Sequence, residues 1–354
     1  MHIFRVRVPL YDELFKLKLE PGKWYLAETQ NATPFLQGQP SAIESRYQPA
    51  EIQPLRWEEM GFRTVPRYDP DEKIWVIRAG GYGDLFYLLP VLRAIGQRLR
   101  NPKEQLTLQT AMSPFPTTVP FKFYHFPSSL DEIDKEAAIL NMEDIPGELE
   151  FDEAGSTTIR YARRAGLRAE DIDFDDLFPS DLERIGEELW QKFHGGRRPR
   201  VFLALTASAA TRSFPFALQV ALALHQRAAL FAATSFQHAL PFPYGGNLKV
   251  EEWMGLVAAA DGIIGVDTAP THLAILLRKP TLAIFGAIPS SLRVPEFAVK
   301  SKFLKVIDVD RAGICPCKLN KAFCPVTSQP LCFALAAKTQ KILEAAVEFI
   351  TTLY

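Results

Sequence analysis

The stretch that decides the reading is GVDTAPTHLAILLRKPTLAIFG, residues 265–286. The apolar run GIIGV ends at Val266 and the apolar run LAILL begins at Leu273; between them stand Asp267, Thr268, Thr271 and His272. An apolar strand that passes through a polar turn into an apolar helix is half of a βα unit. In a parallel sheet, ligands bind at that carboxyl edge, where loops enter helix N-termini. Unpaired N–H groups and a partial positive charge favour a phosphate there. Thr268, Thr271 and His272 can add donors, whereas Asp267 suits fixing the turn or accepting from a ligand hydroxyl. The same residues also suit ordinary capping, with Asp or Thr at the N-cap and a satisfied histidine behind it.

Working outward, the strand runs RVFLALTAS, AALFAAT, GIIGV and TLAIFG alternate with the helical runs FPFALQVALALHQR, VEEWMGLVAAA and THLAILL. That alternation predicts a doubly wound parallel sheet. Upstream the same order recurs: KIWVIRA as a buried strand, GGYGD as a turn and LFYLLPVLRAIGQRLR as a helix, then QLTLQT, KFYHF and AAILNM as short strands. The segment SDLERIGEELWQKFHGGRRPR reads as an amphipathic helix followed by a Gly/Arg/Pro connector. Three parts result: an irregular appendage with a few short strands (1–72), an N-terminal α/β domain (73–195) and a C-terminal α/β domain (196–354). The last helical run, AAKTQKILEAAVEFITTLY, is long enough to lie back across the domain junction.

The 354 residues are 47% hydrophobic, enough for two cores, and 40 Lys+Arg nearly cancel 41 Asp+Glu, which gives no electrostatic reason to expect a nucleic-acid or anionic-membrane partner. No apolar run approaches the roughly 18 residues of a membrane span; Pro90, Asp261 and Lys279 interrupt the longest. The charged, alternating start MHIFRVRVPLYDELFK lacks the unbroken apolar core of a signal peptide. A cytoplasmic protein without a transmembrane segment is the expectation.

Three segments resemble glycosyltransferase family nine, the ADP-heptose lipopolysaccharide heptosyltransferases. DTAPTHLAILLRKPTLAIFGAIPSSLR resembles the family's C-terminal signature, IRAGGYGDLFYLLPVLRAI its N-terminal glycine turn and helix, and LALTASAATRSFPFALQVALAL the start of its donor-binding helix. The resemblance implies the GT-B architecture, two Rossmann-like domains facing across a cleft, with a nucleotide-diphosphate sugar on the C-terminal domain and the acceptor on the N-terminal one. It also implies inverting transfer without a catalytic metal or cofactor, from an ADP-sugar, heptose by default, to a glycan, lipid-linked or protein acceptor.

Residue by residue, the resemblance gives Asp84 the general-base role, with an N-cap of a helix starting at Leu85 as the plainer alternative. Gly80, Gly81 and Gly83 form the turn. Arg212 falls at the basic diphosphate-binding position and Ser208 at the small hydroxyl of the same loop. Asp267, Thr268, Thr271 and His272 complete the donor side. The family's acidic ribose contact has no counterpart after AALFAAT, where SFQHALPF offers only Gln237 and His238. That departure favours a non-catalytic binding or assembly protein of the same shell as the alternative to a transferase. A sugar-nucleotide epimerase would need further acid/base residues, and a nicotinamide oxidoreductase an acid after the second strand. The additional 72 residues imply an acceptor other than lipopolysaccharide.

All four cysteines, Cys315, Cys317, Cys324 and Cys332, lie in CPCKLNKAFCPVTSQPLC. Such clustering in a cytoplasmic chain points to a structural zinc or iron site, with reduced thiols as the plainer reading.

Overall fold

The computed structural model describes residues 2–6, 10–12, 17–20, 23, 25–27, 49–54, 57–125, 130–143, 155–233, 243, 248–309, 324, 327–329 and 331–354. Two compact units separate: Met1–Pro114 with Val119–Leu149 and Tyr161–Asp173, and Phe115–Thr118 with Glu150–Arg160 and Phe174–Tyr354.

The first unit opens with five short strands, β1 (His2–Val6), β2 (Leu10–Asp12), β3 (Leu17–Leu19), β4 (Tyr25–Ala27) and β5 (Pro49–Pro54). They pair antiparallel, β4-β1-β5 as one sheet and β2-β3 as another, so the expected irregular appendage carries regular pairing. Residues 57–72 do not stand apart. Trp57 and Phe62 pack edge-to-face in one core with Trp75, Ile77 and Ile139, and Arg63 bridges Ala138. The expected boundary at residue 72 therefore falls inside a core.

The main sheet of this unit contains β6 (Ile74–Ile77), β7 (Leu106–Thr110), β8 (Lys122–His125) and β9 (Ala138–Asn141), all parallel, in the order β8-β7-β6-β9. All four residues of β6 are buried, as expected of a central parallel strand covered on both faces. Helix α1 (Tyr82–Gly96) follows it and is buried without a break from Leu85 to Leu92. It starts three residues before the expected Leu85, with Gly81 at the N-cap. Asp84 thus sits in its first turn and not at the cap. Helix α2 (Pro102–Gln105) leads into β7, and α3 (Thr157–Arg164) carries the chain between the two units.

The second unit holds α4 (Leu182–His194), β10 (Arg200–Ala204), α5 (Ala217–Leu224), β11 (Ala229–Ala232), α6 (Val250–Ala258), β12 (Gly262–Val266), α7 (Ala269–Leu276), β13 (Thr281–Phe285), α8 (Glu296–Val299), β14 (Leu304–Asp308), α9 (Phe333–Ala337) and α10 (Thr339–Thr351). Its five strands are parallel in the order β11-β10-β12-β13-β14, the doubly wound sheet expected from the alternation. Helix α4, expected to close the N-terminal domain, belongs here. Gly186 and Gly255 let α4 and α6 meet backbone to backbone, since a Cβ at Gly186 would overlap the Gly255 carbonyl. Trp190 Nε1 also donates to the Leu256 carbonyl at 3.0 Å. The terminal helix α10 packs Ile342, Ala346, Phe349 and Ile350 into the core of this same unit, and Phe349 and Leu353 abut Gly262. This is the helix expected to lie across the domain junction, and its apolar face serves the core of this unit.

Candidate functional site

Each main sheet has a point where successive strands wind to opposite sides, and loops from the two strands there form a crevice. In the second unit that point lies between β10 and β12. The loop after β10 carries Ser208 and Arg212, and Asp267 directly follows β12. Arg212 Nη2 donates to Ser208 Oγ at 2.7 Å, and Nη1 reaches the Asp267 carbonyl at 3.2 Å and Oδ2 at 3.4 Å. His272 Nε2 lies 2.9 Å from Asp267 Oδ1, and Arg293 Nε 3.5 Å from the same oxygen. Ser208, Arg212, Asp267 and His272, expected as one group, are thus brought together.

Asp267 is 2% exposed. Burial alone would push its carboxyl up, but the Arg293 guanidinium, the His272 imidazole and the Arg212 guanidinium outweigh it and hold the carboxyl well below the usual carboxylate range. A buried, ionised carboxylate facing three donors organises those donors; its effect on a ligand runs through them.

Thr268 is the N-cap of α7, and its side chain makes no capping bond, so a first-turn donor set at this helix start is not consumed by its own cap. Thr271 differs from expectation. It is fully buried, and its Oγ1 occupies the space a Cβ on Gly265 would take. Glycine at 265 is needed for that approach, and Thr271 packs against the sheet.

Arg293 was not singled out from the sequence, although it closes the quoted signature at SSLR. Its Nη1 is 3.3 Å from Thr157 Oγ1, and Arg160 Nη2 reaches both Thr157 Oγ1 at 3.2 Å and the Leu292 carbonyl at 2.9 Å. Thr157 also donates to that carbonyl at 2.9 Å. The Asp267 carboxylate is therefore tied through Arg293 to the start of α3 within the same unit.

In the first unit the winding changes between β6 and β9. Arg78 follows β6 and Glu143 follows β9. Arg78 Nη2 lies 2.6 Å from Asp84 Oδ2 and Nη1 3.0 Å from Glu143 Oε1, which also accepts the Ala79 N–H. Burial alone would weaken the charged form of Arg78, but Tyr161, Asp84 and Glu143 raise its pKa well above the usual arginine value. Of the three expected glycines, Gly80 has the clearest reason: a Cβ there would lie 2.6 Å from Arg78 Cζ, whereas one at Gly81 meets nothing. Arg78 and Glu143 were missed; the only sequence signal was a charged residue closing a buried strand in IRAGG.

Of the cysteines, Cys324 and Cys332 are buried, while Cys315 and Cys317 lie outside the described residues, as do Gln237 and His238. Among the described residues, no group of three or more His, Cys, Asp or Glu side chains is arranged to hold a metal ion. No helix of the described residues is long and apolar enough to cross a membrane.

With this geometry in place, the similarities to known proteins have a structural frame. The fold, two α/β units each built on a parallel sheet, is that of GT-B glycosyltransferases. It is similar to the crystal structure of the glycosyl transferase family 9 from Veillonella parvula DSM 2008, with a TM-score of 0.53 at 10% identity over 81% of this chain and 99% of that one. It is also similar to the iron-containing dodecameric glycosyltransferase TibC from enterotoxigenic E. coli H10407, with a TM-score of 0.55 at 14% identity over 100% of this chain and 92% of that one. Residues 212–302 match the sequence profile of glycosyltransferase family 9 (heptosyltransferase), and the chain is heptosyltransferase-like across that segment. A lipopolysaccharide heptosyltransferase 1 of Campylobacter coli is 40% identical over 65 residues, and the match spans 18% of each chain. The matched profile begins at Arg212 and takes in Asp267, Thr268, His272 and Arg293.

Proposed function

We propose that the protein is an inverting glycosyltransferase that moves heptose from ADP-heptose to an acceptor hydroxyl. The observation that carries this reading is the arrangement of Arg212, His272 and Arg293 around Asp267, beside the open N-terminus of α7, within the segment that matches the family. TibC has been crystallised with ADP-D-beta-D-heptose, which supports the choice of donor. The acceptor is a glycan, lipid-linked or protein hydroxyl.

In this reading the acceptor oxygen attacks the anomeric carbon as its proton passes to Asp84. The bond from that carbon to the diphosphate oxygen breaks, and ADP leaves with the bonding pair. Arg212, Ser208, Thr268 and the α7 N-terminus meet the growing charge on the leaving group, and no metal ion is required for the step. Asp267 keeps Arg212 and His272 oriented, so both donors are in place before the charge develops. Of the glycine turn at Gly80, Gly81 and Gly83, Gly80 leaves room for the Arg78 guanidinium beside Asp84.

The segment 315–332 is proposed as a structural zinc or iron site. Two buried thiols suit a soft-ligand metal, and Cys324 sits in a turn where its N–H reaches the Gln329 carbonyl and its carbonyl accepts from Ser328, both at 2.8 Å. Elemental analysis of protein purified without chelator should find about one metal per chain, lost when Cys324 and Cys332 are replaced by serine. The test of the main reading is a thermal-shift panel of ADP-, UDP-, GDP- and TDP-sugars. ADP-heptose should raise the melting temperature most, and no shift with any of them would reject the transferase.

A further inference from the structure

We propose that Glu143 is a positioning residue for proton transfer at Asp84, acting through Arg78; the inference rests on the reading of Asp84 as the base. Arg78 divides one guanidinium between two carboxylates, Nη2 to Asp84 at 2.6 Å and Nη1 to Glu143 at 3.0 Å. Glu143 is fixed on its own side, because Oε1 also accepts the Ala79 N–H and the Glu143 N–H donates to Asn141 Oδ1 at 3.0 Å. The two ends of β6 and β9 are thereby tied together by side chains where the ladder itself stops.

Exposure separates the roles of the two acids. The Asp84 side chain is 24% exposed and that of Glu143 10%. Asp84 is the carboxylate open to a reacting hydroxyl, and Glu143 is the anchor behind the arginine.

The charge balance gives Glu143 a second effect. A guanidinium held by a single carboxylate makes that carboxylate a weaker base. With two carboxylates on one guanidinium the trio carries one net negative charge, and a proton arriving on Asp84 brings it to neutrality. Without Glu143 the same transfer would leave an uncompensated positive charge on a buried arginine, which is costly. Among the described residues, Tyr161 of α3 also acts on Arg78, while Tyr82 in the first turn of α1 turns its hydroxyl to the Ser113 carbonyl at 3.4 Å. Burial raises the Tyr82 phenol above the ordinary tyrosine value, so it stays neutral at neutral pH and adds no negative charge here.

The test compares the full-length wild type with Glu143→Gln, Glu143→Asp and Asp84→Asn, recording kcat, donor KM, melting temperature and the pH dependence of kcat/KM with ADP-heptose. Glu143→Gln should lower kcat about tenfold with donor KM changed less than about twofold, and should move the acid limb to lower pH because Asp84 becomes the weaker base. Glu143→Asp, which keeps the charge, should return the acid limb to its wild-type position. A Glu143→Gln enzyme with a wild-type pH profile and only a lower melting temperature would overturn the inference. Should Glu143→Gln fail to fold, Glu143→Ser, which also removes the charge, decides: lowered kcat at unchanged donor KM with the acid limb moved to lower pH supports the inference, and a wild-type acid limb overturns it. Asp84→Asn keeps the two failures apart. Full activity in that variant would refute the base itself, whereas its inactivity beside an unshifted Glu143→Gln limb would sink the role of Glu143 alone.

Discussion

Arg78 lies folded over Gly80, so that a Cβ at residue 80 would stand 2.6 Å from the arginine Cζ. The atoms in the way belong to the far end of a flexible side chain and can move without disturbing the backbone. Gly80→Ala should therefore keep the backbone course while displacing the guanidinium from Asp84 and Glu143, and the loss of that buried ion pair should lower the melting temperature. Misplacing a group at the reacting centre by about 1 Å can cost up to about a hundredfold, and a fall in turnover of about tenfold or more is expected here. Steady-state turnover and a thermal melt on the same preparation check this; wild-type turnover would show that the position of Arg78 is immaterial.

On the donor side, Arg212→Ala should weaken ADP-heptose binding by about 1.5–3 kcal/mol, the range for a hydrogen bond to a charged group. Asp267 keeps His272 and Arg293 in the variant, so the fold should hold. Ser208→Ala should cost less, about 0.5–1.5 kcal/mol. Calorimetry on the two variants orders them, and unchanged affinity in Arg212→Ala would remove that residue from the site.

Much of this was legible in the sequence because burial and chain direction write themselves into local patterns. GIIGV and, after Thr281, LAIFG are apolar runs, as strands covered on both faces must be, and both appear as central strands, β12 and β13. The polar cluster after GIIGV had to fall at the carboxyl edge, and Arg212 and Asp267 do meet there. What pattern does not encode is partnership between distant positions. Glu143 reaches Arg78 across 65 residues, and Arg293 reaches Thr157 across 136, so neither could be found from a window. Helix α4 failed for the same reason: its amphipathic face is plain, but contacts between distant positions, Gly186 with Gly255 and Trp190 with Leu256, show which sheet it serves.

The state of Asp267 makes a prediction about acid stability. Its folded carboxyl titrates below the unfolded value of about 3.9. It therefore contributes stability that is complete above that value and is lost as pH falls below it toward the folded value. Asp267→Asn should destabilise the protein at neutral pH by about 3–5 kcal/mol, the usual cost of breaking a buried ion pair. It should also flatten the loss of stability below about pH 4. Urea unfolding at several pH values measures both, and parallel pH profiles for variant and wild type would contradict the buried ion pair.

The central claim is that Asp84 takes the proton of the acceptor. Asp84→Asn preserves size and can still accept a hydrogen bond from Arg78, but it cannot take up a proton at neutral pH. Its place in the first turn of α1 makes some contribution to the helix dipole, worth about 0.3–1 kcal/mol, so the fold should survive the change. The decisive measurement is turnover of ADP-heptose by Asp84→Asn at matched donor affinity and melting temperature. The mechanism predicts transfer reduced about a hundredfold or more; transfer at the wild-type rate would contradict it and leave Asp84 as a partner of Arg78 and nothing more.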